Sequence, residues 1–317
     1  MTTPCPGLQH VKGQWMVEGF SQRFSSSKDD GASVQKVDTV DAPSEEDVPA
    51  MRSHLQHVFA EYVSKNVPVI LKGGVSHWPC TYKWTDEHIV AGVGDCRLRV
   101  RKNPQKEGHV FGNVSSVGTD DVYEWEDITV AEYVRAMKES PDKYYAARIP
   151  LQVDLEEIGN EVPPPKYLPY AATVGAEVPG GAIMYWGAGK QRTPLHYDPH
   201  ENFLCMLDGS KKIRLYHPSF AEVLYPMGGI QYKYSQVQPY AADVHSQFPL
   251  FRHAKYVDVT VVKGDILYLP VFWYHDVSGE SGRNISINYW YRQHPMKLDY
   301  IDAEPPTSPL DSVVAIE

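Results

Sequence analysis

From about residue 181 onward the chain is a succession of strand-length runs cut by tight turns, and that rhythm leaves few architectures open. The runs are Ala182–Trp186, Asn202–Leu207, Lys212–Tyr216, Tyr256–Val262, Asp265–Leu269 and Asn284–Trp290. Gly209-Ser, Lys263-Gly-Asp and Ser281-Gly-Arg punctuate them as turns. Many short strands with few helices between them predict a β-sandwich or barrel. Composition agrees, because 21 Tyr and 25 Pro suit strands and turns better than a helical bundle. With 42% hydrophobic and 22% charged residues, 317 residues suffice for a large core, which excludes a wholly disordered chain.

The first half reads differently. Residues 1–43 are polar and rich in Ser, Asp and Gly, and are expected to form a weakly ordered leader with a short docking piece around Trp15–Phe20. A helix follows, because Met51, Leu55, Val58, Phe59 and Tyr62 share one helical face. Ser44, Glu45 and Glu46 suit its start electrostatically. Val67–Leu71 reads as a strand stopped by Gly73-Gly74, Thr85–Ala91 as a short helix and Arg97–Arg101 as an alternating strand. Thr129-Val-Ala-Glu132 fits a capping box for a helix running to about Lys138, and Tyr144–Leu151 is a further strand candidate. A Pro-rich connector, Val162–Pro165, separates this portion (44–165) from the strand-rich core (166–300) within one domain over 44–300, and residues 301–317 read as a flexible tail.

The charge balance argues against several function classes. The formal net charge of −10 disfavours non-specific nucleic-acid binding, which rests on many Lys/Arg–phosphate contacts. No run approaches the apolar length of a membrane span, and Met1–Trp15 lacks the apolar core of a signal peptide. Cys5, Cys80, Cys96 and Cys205 have neither zinc-finger spacing nor the density of a disulfide scaffold. The expected setting is the reducing cytoplasm or nucleus.

The sharpest chemical feature is His196-Tyr197-Asp198, with His275 far downstream after the apolar run Tyr268–Tyr274. On a strand or its extended end, residues i and i+2 point the same way. His196 and Asp198 can then converge, and Tyr268–Tyr274, read as a strand, can deliver His275 as a third ligand. Two imidazoles and one carboxylate on one face of an ion form the facial triad of non-haem Fe(II) oxygenases. The tripeptide alone is common. Its surroundings set it apart: Thr193–Phe203, Leu207–Tyr216, Gly264–His275 and Asn284–Trp290.

These segments together resemble the JmjC-domain family of Fe(II)/2-oxoglutarate-dependent oxygenases, over roughly residues 50–300. The resemblance implies a mainly β fold with flanking helices, a double-stranded β-helix or cupin-like jelly roll. It implies iron on His196, Asp198 and His275. Lys211 matches the lysine that pairs with the distal carboxylate of 2-oxoglutarate, Thr193 a hydroxyl donor to it, and Tyr145 the phenol that completes the clamp. Lys212 competes with Lys211, and Tyr144 with Tyr145, since neighbouring strand residues face opposite ways. Asn202 and Asn288 match polar residues flanking the metal. Trp186, Tyr197, His200, Trp273 and Trp290 are candidates for the substrate cleft wall.

Within the family, Asn66–Pro79, His200–Cys205, Leu267–Pro270 and Asn288–Tyr291 look most like the small stand-alone JmjC (3S)-lysyl hydroxylases, to which a peptidase activity has also been ascribed. A tRNA wybutosine hydroxylase is a near cousin, similar in Lys143–Tyr145 and Pro79–Thr85. The implied reaction hydroxylates a protein side chain, lysine foremost, and releases succinate and CO2 from 2-oxoglutarate and O2, with ascorbate as reductant in vitro. The implied partner is a protein or peptide such as a translation-factor GTPase. The alternatives are a modified tRNA base, a histone lysine demethylase, and a silent cupin used as a binding module. The Arg97/Arg99/Arg101 face is a candidate basic patch for an acidic peptide or RNA. The tail lacks two clear amphipathic helices, so the helical dimerisation module of some relatives is not expected.

Overall fold

In Tyr256–Val262 every second residue is buried, so Val257, Val259 and Val261 line one face while the residues between them stay outside. In Glu201–Asp208 both sides are buried instead, as in a strand covered by other layers on each face. The computed structural model describes residues 8–11, 14–17, 36–44, 46–63, 65–103, 124–163, 181–227 and 233–291.

Among these residues the strands are β1 (Leu8–Val11), β2 (Gln14–Val17), β3 (Asp38–Asp41), β4 (Val69–Lys72), β5 (Arg97–Lys102), β6 (Glu124–Thr129), β7 (Tyr144–Pro150), β8 (Ala182–Gly187), β9 (Arg192–His196), β10 (Glu201–Asp208), β11 (Ser210–Tyr216), β12 (Tyr256–Val262), β13 (Ile266–Leu269), β14 (Tyr274–Gly279) and β15 (Asn284–Tyr291). A nine-stranded sheet runs β3-β4-β13-β10-β15-β8-β7-β5-β6, and a four-stranded sheet runs β12-β11-β14-β9. Leu204, Met206, Leu267 and Leu269 of the large sheet meet Ile213, Leu215, Val257, Val259 and Val261 of the small one in a shared core. The opposite face of the large sheet packs Phe203, Cys205, Ile285, Ile287 and Tyr289 against helical residues such as Val58, Ile89, Tyr133 and Met137. This is the mainly β, jelly-roll fold with flanking helices that the resemblance implies.

Local chemistry explains the helices. In α1 (Val48–Val58) the Asp47 carboxylate accepts from the Ala50 amide, so Asp47, not the Ser44 segment, caps the helix. α2 (Pro79–Lys83) starts with Pro at its first position, behind Trp78. In α3 (Asp86–Val93) Thr85 caps His88, and α4 (Val130–Glu139) begins in the expected Thr129/Glu132 capping box.

Strands from 44–163 and from 181–291 share the nine-stranded sheet, and Pro163 accepts a hydrogen bond from Tyr289. Two expectations change. The leader does not extend to residue 43: Asp38–Asp41 pairs in parallel with β4 at the sheet edge, and β1 with β2 forms a hairpin. The Tyr268–Tyr274 run is not one strand. β13 ends at Leu269, Phe272 takes a left-handed φ of 68°, and β14 restarts at Tyr274 in the other sheet. Cys5 and residues 301–317 lie outside the described residues. Cys80, Cys96 and Cys205 are free thiols. No helix among the described residues is long and apolar enough to cross a membrane.

Candidate metal and co-substrate site

The turn at Phe272 carries the chain from the large sheet to the small one, where β14 pairs antiparallel with β9. His275 then stands directly opposite His196. A directly opposed pair brings side chains within reach of one another, and the two rings lie 4.2 Å apart, tilted 52°. Asp198 follows β9 in a loop tied to the same turn, because the Phe272 amide donates to the Asp198 carbonyl. One ligand atom each from His196, Asp198 and His275 falls within 4.8 Å of the others.

Backbone carbonyls orient both imidazoles. His196 Nδ1 lies 2.8 Å from the Pro194 carbonyl, and His275 Nδ1 2.9 Å from that of Trp273. A carbonyl only accepts, so each Nδ1 carries the proton and each Nε2 is left with its lone pair. Burial holds both imidazoles below their usual range, and His275 adds to this at His196. They are therefore neutral at pH 7, as metal ligation requires. Burial works against the Asp198 carboxylate, but the groups around it outweigh this and hold it ionised; with both imidazoles neutral at pH 7, the cations that act on it there are Lys233 and Arg148. Trp290 fixes its orientation by donating from Nε1 to Asp198 Oδ2 at 3.2 Å. Two oriented imidazoles and one carboxylate are a donor set for Fe(II), and other divalent ions also fit it.

Next to the triad, the space between the sheets is polar. Lys211 on β11 is buried, while Lys212 points outward to Glu280 at 3.2 Å. Alternation thus selects Lys211 as the inward lysine. Its Nζ donates to Asn284 Oδ1 at 3.0 Å and lies 5.7 Å from the Tyr145 ring centroid. Tyr145 is buried and bonded to Thr193, whereas Tyr144 turns to the helix side of its strand. Burial pulls the Lys211 ammonium down to about 8. Among the described residues no carboxylate pairs with it. A buried cation without an anion is costly, so the site fits an incoming carboxylate. Asn288 donates to Asn202 at 3.0 Å on the same inner face.

The aromatic candidates divide. Trp290 lines the metal site. Trp186 is fully buried against Tyr133 on the helix side, Tyr197 packs on Phe272 and Tyr274, and Trp273 lies in the core between the sheets with its Nε1 donating to the Asn66 carbonyl. These three are core residues and do not wall a cleft: their large apolar surfaces gain more from burial than an open wall provides. His200 is half-buried in the bend before β10.

The structure also adds residues that pattern reasoning does not single out. Tyr234 stacks on His196 with ring centroids 5.4 Å apart, and Tyr185 stands edge-on to Trp290. Asn284 holds Lys211. Arg148 and Lys233 act on Asp198. For Asn284 a signal existed: polar residues at every second position of Asn284-Ile-Ser-Ile-Asn288. For Tyr234 and Lys233 there was none, because they lie in an irregular loop.

A family model described as a cupin-like domain matches residues 55–297. Among similar proteins, lysine-specific demethylase 8 of Xenopus tropicalis is 30% identical over 75% of this chain and 51% of its own length. The bifunctional peptidase and (3S)-lysyl hydroxylase of Homo sapiens is 23% identical over 77% of this chain and 83% of its own. tRNA wybutosine-synthesizing protein 5 of Mus musculus is 24% identical, over 78% of each. The chain thus spans about half the length of the demethylase-type relatives and most of the other two.

Proposed function

We propose, from the premise that this chain belongs to the cupin-like JmjC family, that it is an Fe(II)- and 2-oxoglutarate-dependent oxygenase hydroxylating a protein side chain, lysine foremost. The observation that carries the reading is the buried Lys211 cation, without a carboxylate partner among the described residues, beside an oriented His196/Asp198/His275 triad. The preference for a protein substrate rests on the (3S)-lysyl hydroxylase, matched over 83% of its length.

Fe(II) with 2-oxoglutarate supplies O2 activation and C–H oxidation, releasing succinate and CO2. The chain's own residues do the rest. His196, Asp198 and His275 would hold the ion, each offering one ligand atom. Lys211, Thr193 and Tyr145 hold the distal carboxylate. Burial pushes the Tyr145 and Tyr185 phenols up, so both stay protonated and donate. Asn202 and Asn288 supply amides near the chelating end. The enclosing sheets exclude water from a reactive centre. The protein substrate is a peptide segment such as one from a translation-factor GTPase.

A second reading, hydroxylation of a tRNA base, draws on the Arg97/Arg99/Arg101 face of β5, where Arg99 and Arg101 lie beside Trp125, and on the similarity to the wybutosine-synthesizing protein. Lysine demethylation is a third.

Succinate release by purified protein with Fe(II), 2-oxoglutarate and ascorbate tests the reading, beside a His196→Ala control. Lysine peptides and bulk tRNA are added separately. Turnover that vanishes in the variant is expected, with peptide as the stimulating substrate. No turnover and no 2-oxoglutarate binding by metal-loaded protein would leave a silent cupin.

A further inference from the structure

Two cations flank the metal site in matching arrangements. The Arg148 guanidinium lies 5.6 Å from the centroid of Trp290, the ring whose N–H holds Asp198. The Lys233 ammonium lies 5.5 Å from the centroid of Tyr234, the ring stacked on His196. Each cation is thus one aromatic ring away from a ligand of the ion. Among the described residues neither forms an ion pair with a carboxylate. Burial and the cations Arg148 and Arg101 act against the Lys233 charge, and the Asp198 carboxylate acts in its favour.

The backbone at Arg148 points to the same place. β7 bulges between Ala147 and Ile149 where it pairs with β8, and Arg148 occupies the bulge with a φ of 63°. Bulges re-aim side chains, and a non-glycine residue stays in the left-handed region only where its surroundings demand it. Here the bulge turns an exposed arginine towards Trp290 from a strand whose neighbouring residues are buried.

The charge count makes these cations a surplus. The divalent ion, the Asp198 carboxylate, the 2-oxoglutarate dianion and Lys211 together balance to zero. Arg148 and Lys233, beside the rings that touch Asp198 and His196, are then left to an anion that arrives next to the site. Resting on the oxygenase reading, we infer that the primary substrate is an acidic polypeptide segment, whose carboxylates flank the target residue and pair with Arg148 and Lys233. A lysine presented without such neighbours would be repelled by this rim.

The next strands outward favour a short acidic cluster over a polynucleotide. On β5, Arg99 and Arg101 lie 5.0 and 5.5 Å from the Trp125 ring centroid, but Arg99 is paired in register with Asp127, and Lys102 bonds Glu126 at 2.6 Å. A polyanion running outward meets these carboxylates, and the chain as a whole carries −10. Nucleic-acid binding gains from many phosphate contacts in a row, which this surface interrupts.

The test uses the full chain loaded with Fe(II) under argon. Fluorescence anisotropy compares a labelled peptide of one central Lys flanked by Glu, the same peptide with Gln for Glu, and an oligouridine of equal length. Calorimetric binding of 2-oxoglutarate to the same protein reports on the oxygenase reading separately. The expected result is about tenfold or greater preference for the Glu peptide over the Gln peptide, lost in Arg148→Gln and restored in part by Arg148→Lys. Thermal melts establish that both variants fold, and Lys212→Ala, an exposed cation away from the site, should keep the preference. Equal binding of Glu and Gln peptides, with 2-oxoglutarate still bound, overturns the inference and leaves the oxygenase standing. Tighter binding of oligouridine than of the Glu peptide, weakened by Arg148→Gln, overturns it in favour of RNA. Absence of 2-oxoglutarate binding sinks the oxygenase reading whatever the peptides do.

Discussion

Strand β15 shows two chemistries on its two sides, and both are buried. Ile285, Ile287, Tyr289 and Tyr291 enter the core shared with the helices. Asn284, Ser286, Asn288 and Trp290 turn to the space between the sheets, where Asn284 bonds Lys211, Asn288 bonds Asn202 and Trp290 bonds Asp198. Apolar burial stabilises by roughly 25 cal/mol per Å2, whereas a buried polar group is unfavourable unless its hydrogen bonds are made. The helix-facing side therefore reads as stability. The inward side gives up some of that stability, and its polar groups converge on the triad and the clamp. The difference teaches that burial alone does not separate core from site; the polarity of what is buried does.

The sharpest way to break this contrast is to remove a ligand from the inward face. Asp198→Ala should lower metal affinity and succinate release by more than about 100-fold, since even outer partners of ligands are worth about 10–100-fold. Its melting temperature without metal should also fall, though by less than for a core deletion. The carboxylate's interactions outweigh its burial, and its removal leaves the Trp290 N–H without its acceptor and Lys233 and Arg148 without a nearby anion. Metal titration followed by calorimetry, together with a melt of the metal-free protein, checks both halves.

On the other face the pattern should reverse. Ile287 is fully enclosed, so Ile287→Ala should lose about 2–5 kcal/mol of stability through lost transfer energy and a residual cavity. The metal affinity of the folded fraction should not change. Urea unfolding beside metal titration measures this, and a large loss of affinity would mean that the two faces are coupled.

Trp290→Phe should have a smaller effect than either. It keeps a ring beneath Arg148 but removes the N–H that holds Asp198 Oδ2, and about a tenfold loss of metal affinity is expected for an outer partner of a ligand. A histidine-directed contrast would not be informative here, because the imidazoles are held by backbone carbonyls that no substitution removes.

How much of this was legible in the sequence follows from the same contrast. Period-two alternation identified β12, β15 and most of β10, because each has at least one face of uniform polarity. The capping box located α4, since its chemistry is local. His196 and Asp198 were legible as a pair through i, i+2 geometry. His275 was a candidate for a different reason than the structure supplies, as it sits on β14 after a reversal at Phe272 and not on the end of the preceding run. Phe272 and Arg148 adopt positive φ without being glycine, so no turn signal marks either place. Trp186 and Trp273 look the same in sequence as Trp290. Only strand register and sheet order decide which ring enters a core and which touches Asp198. The Lys211/Lys212 and Tyr144/Tyr145 alternatives were likewise matters of register by one residue, and register is a property of the whole sheet.

The mildest probe is pH, and it sets Lys211 against itself. Burial has pulled its ammonium down to about 8 from 10.5. Between those two values the unfolded chain holds the proton and the folded chain does not, so stability gains from this group as pH rises, by up to about 1.4 kcal/mol per pH unit. Below pH 8 both states hold the proton and the full burial penalty stands. Co-substrate binding must run the other way. The distal carboxylate needs the cation, so above pH 8 binding has to take up a proton, and affinity should fall by up to about tenfold per unit. Lys211→Met should abolish the Lys211 part of both slopes, which separates it from tyrosines titrating in the same range. Chemical unfolding and 2-oxoglutarate calorimetry on metal-loaded protein from pH 7 to 9.5, parent against variant, measure the pair. If affinity in the parent does not change with pH while the stability slope is present, Lys211 titrates as a buried cation but does not meet the carboxylate, and the clamp must be built from other residues on the inward face.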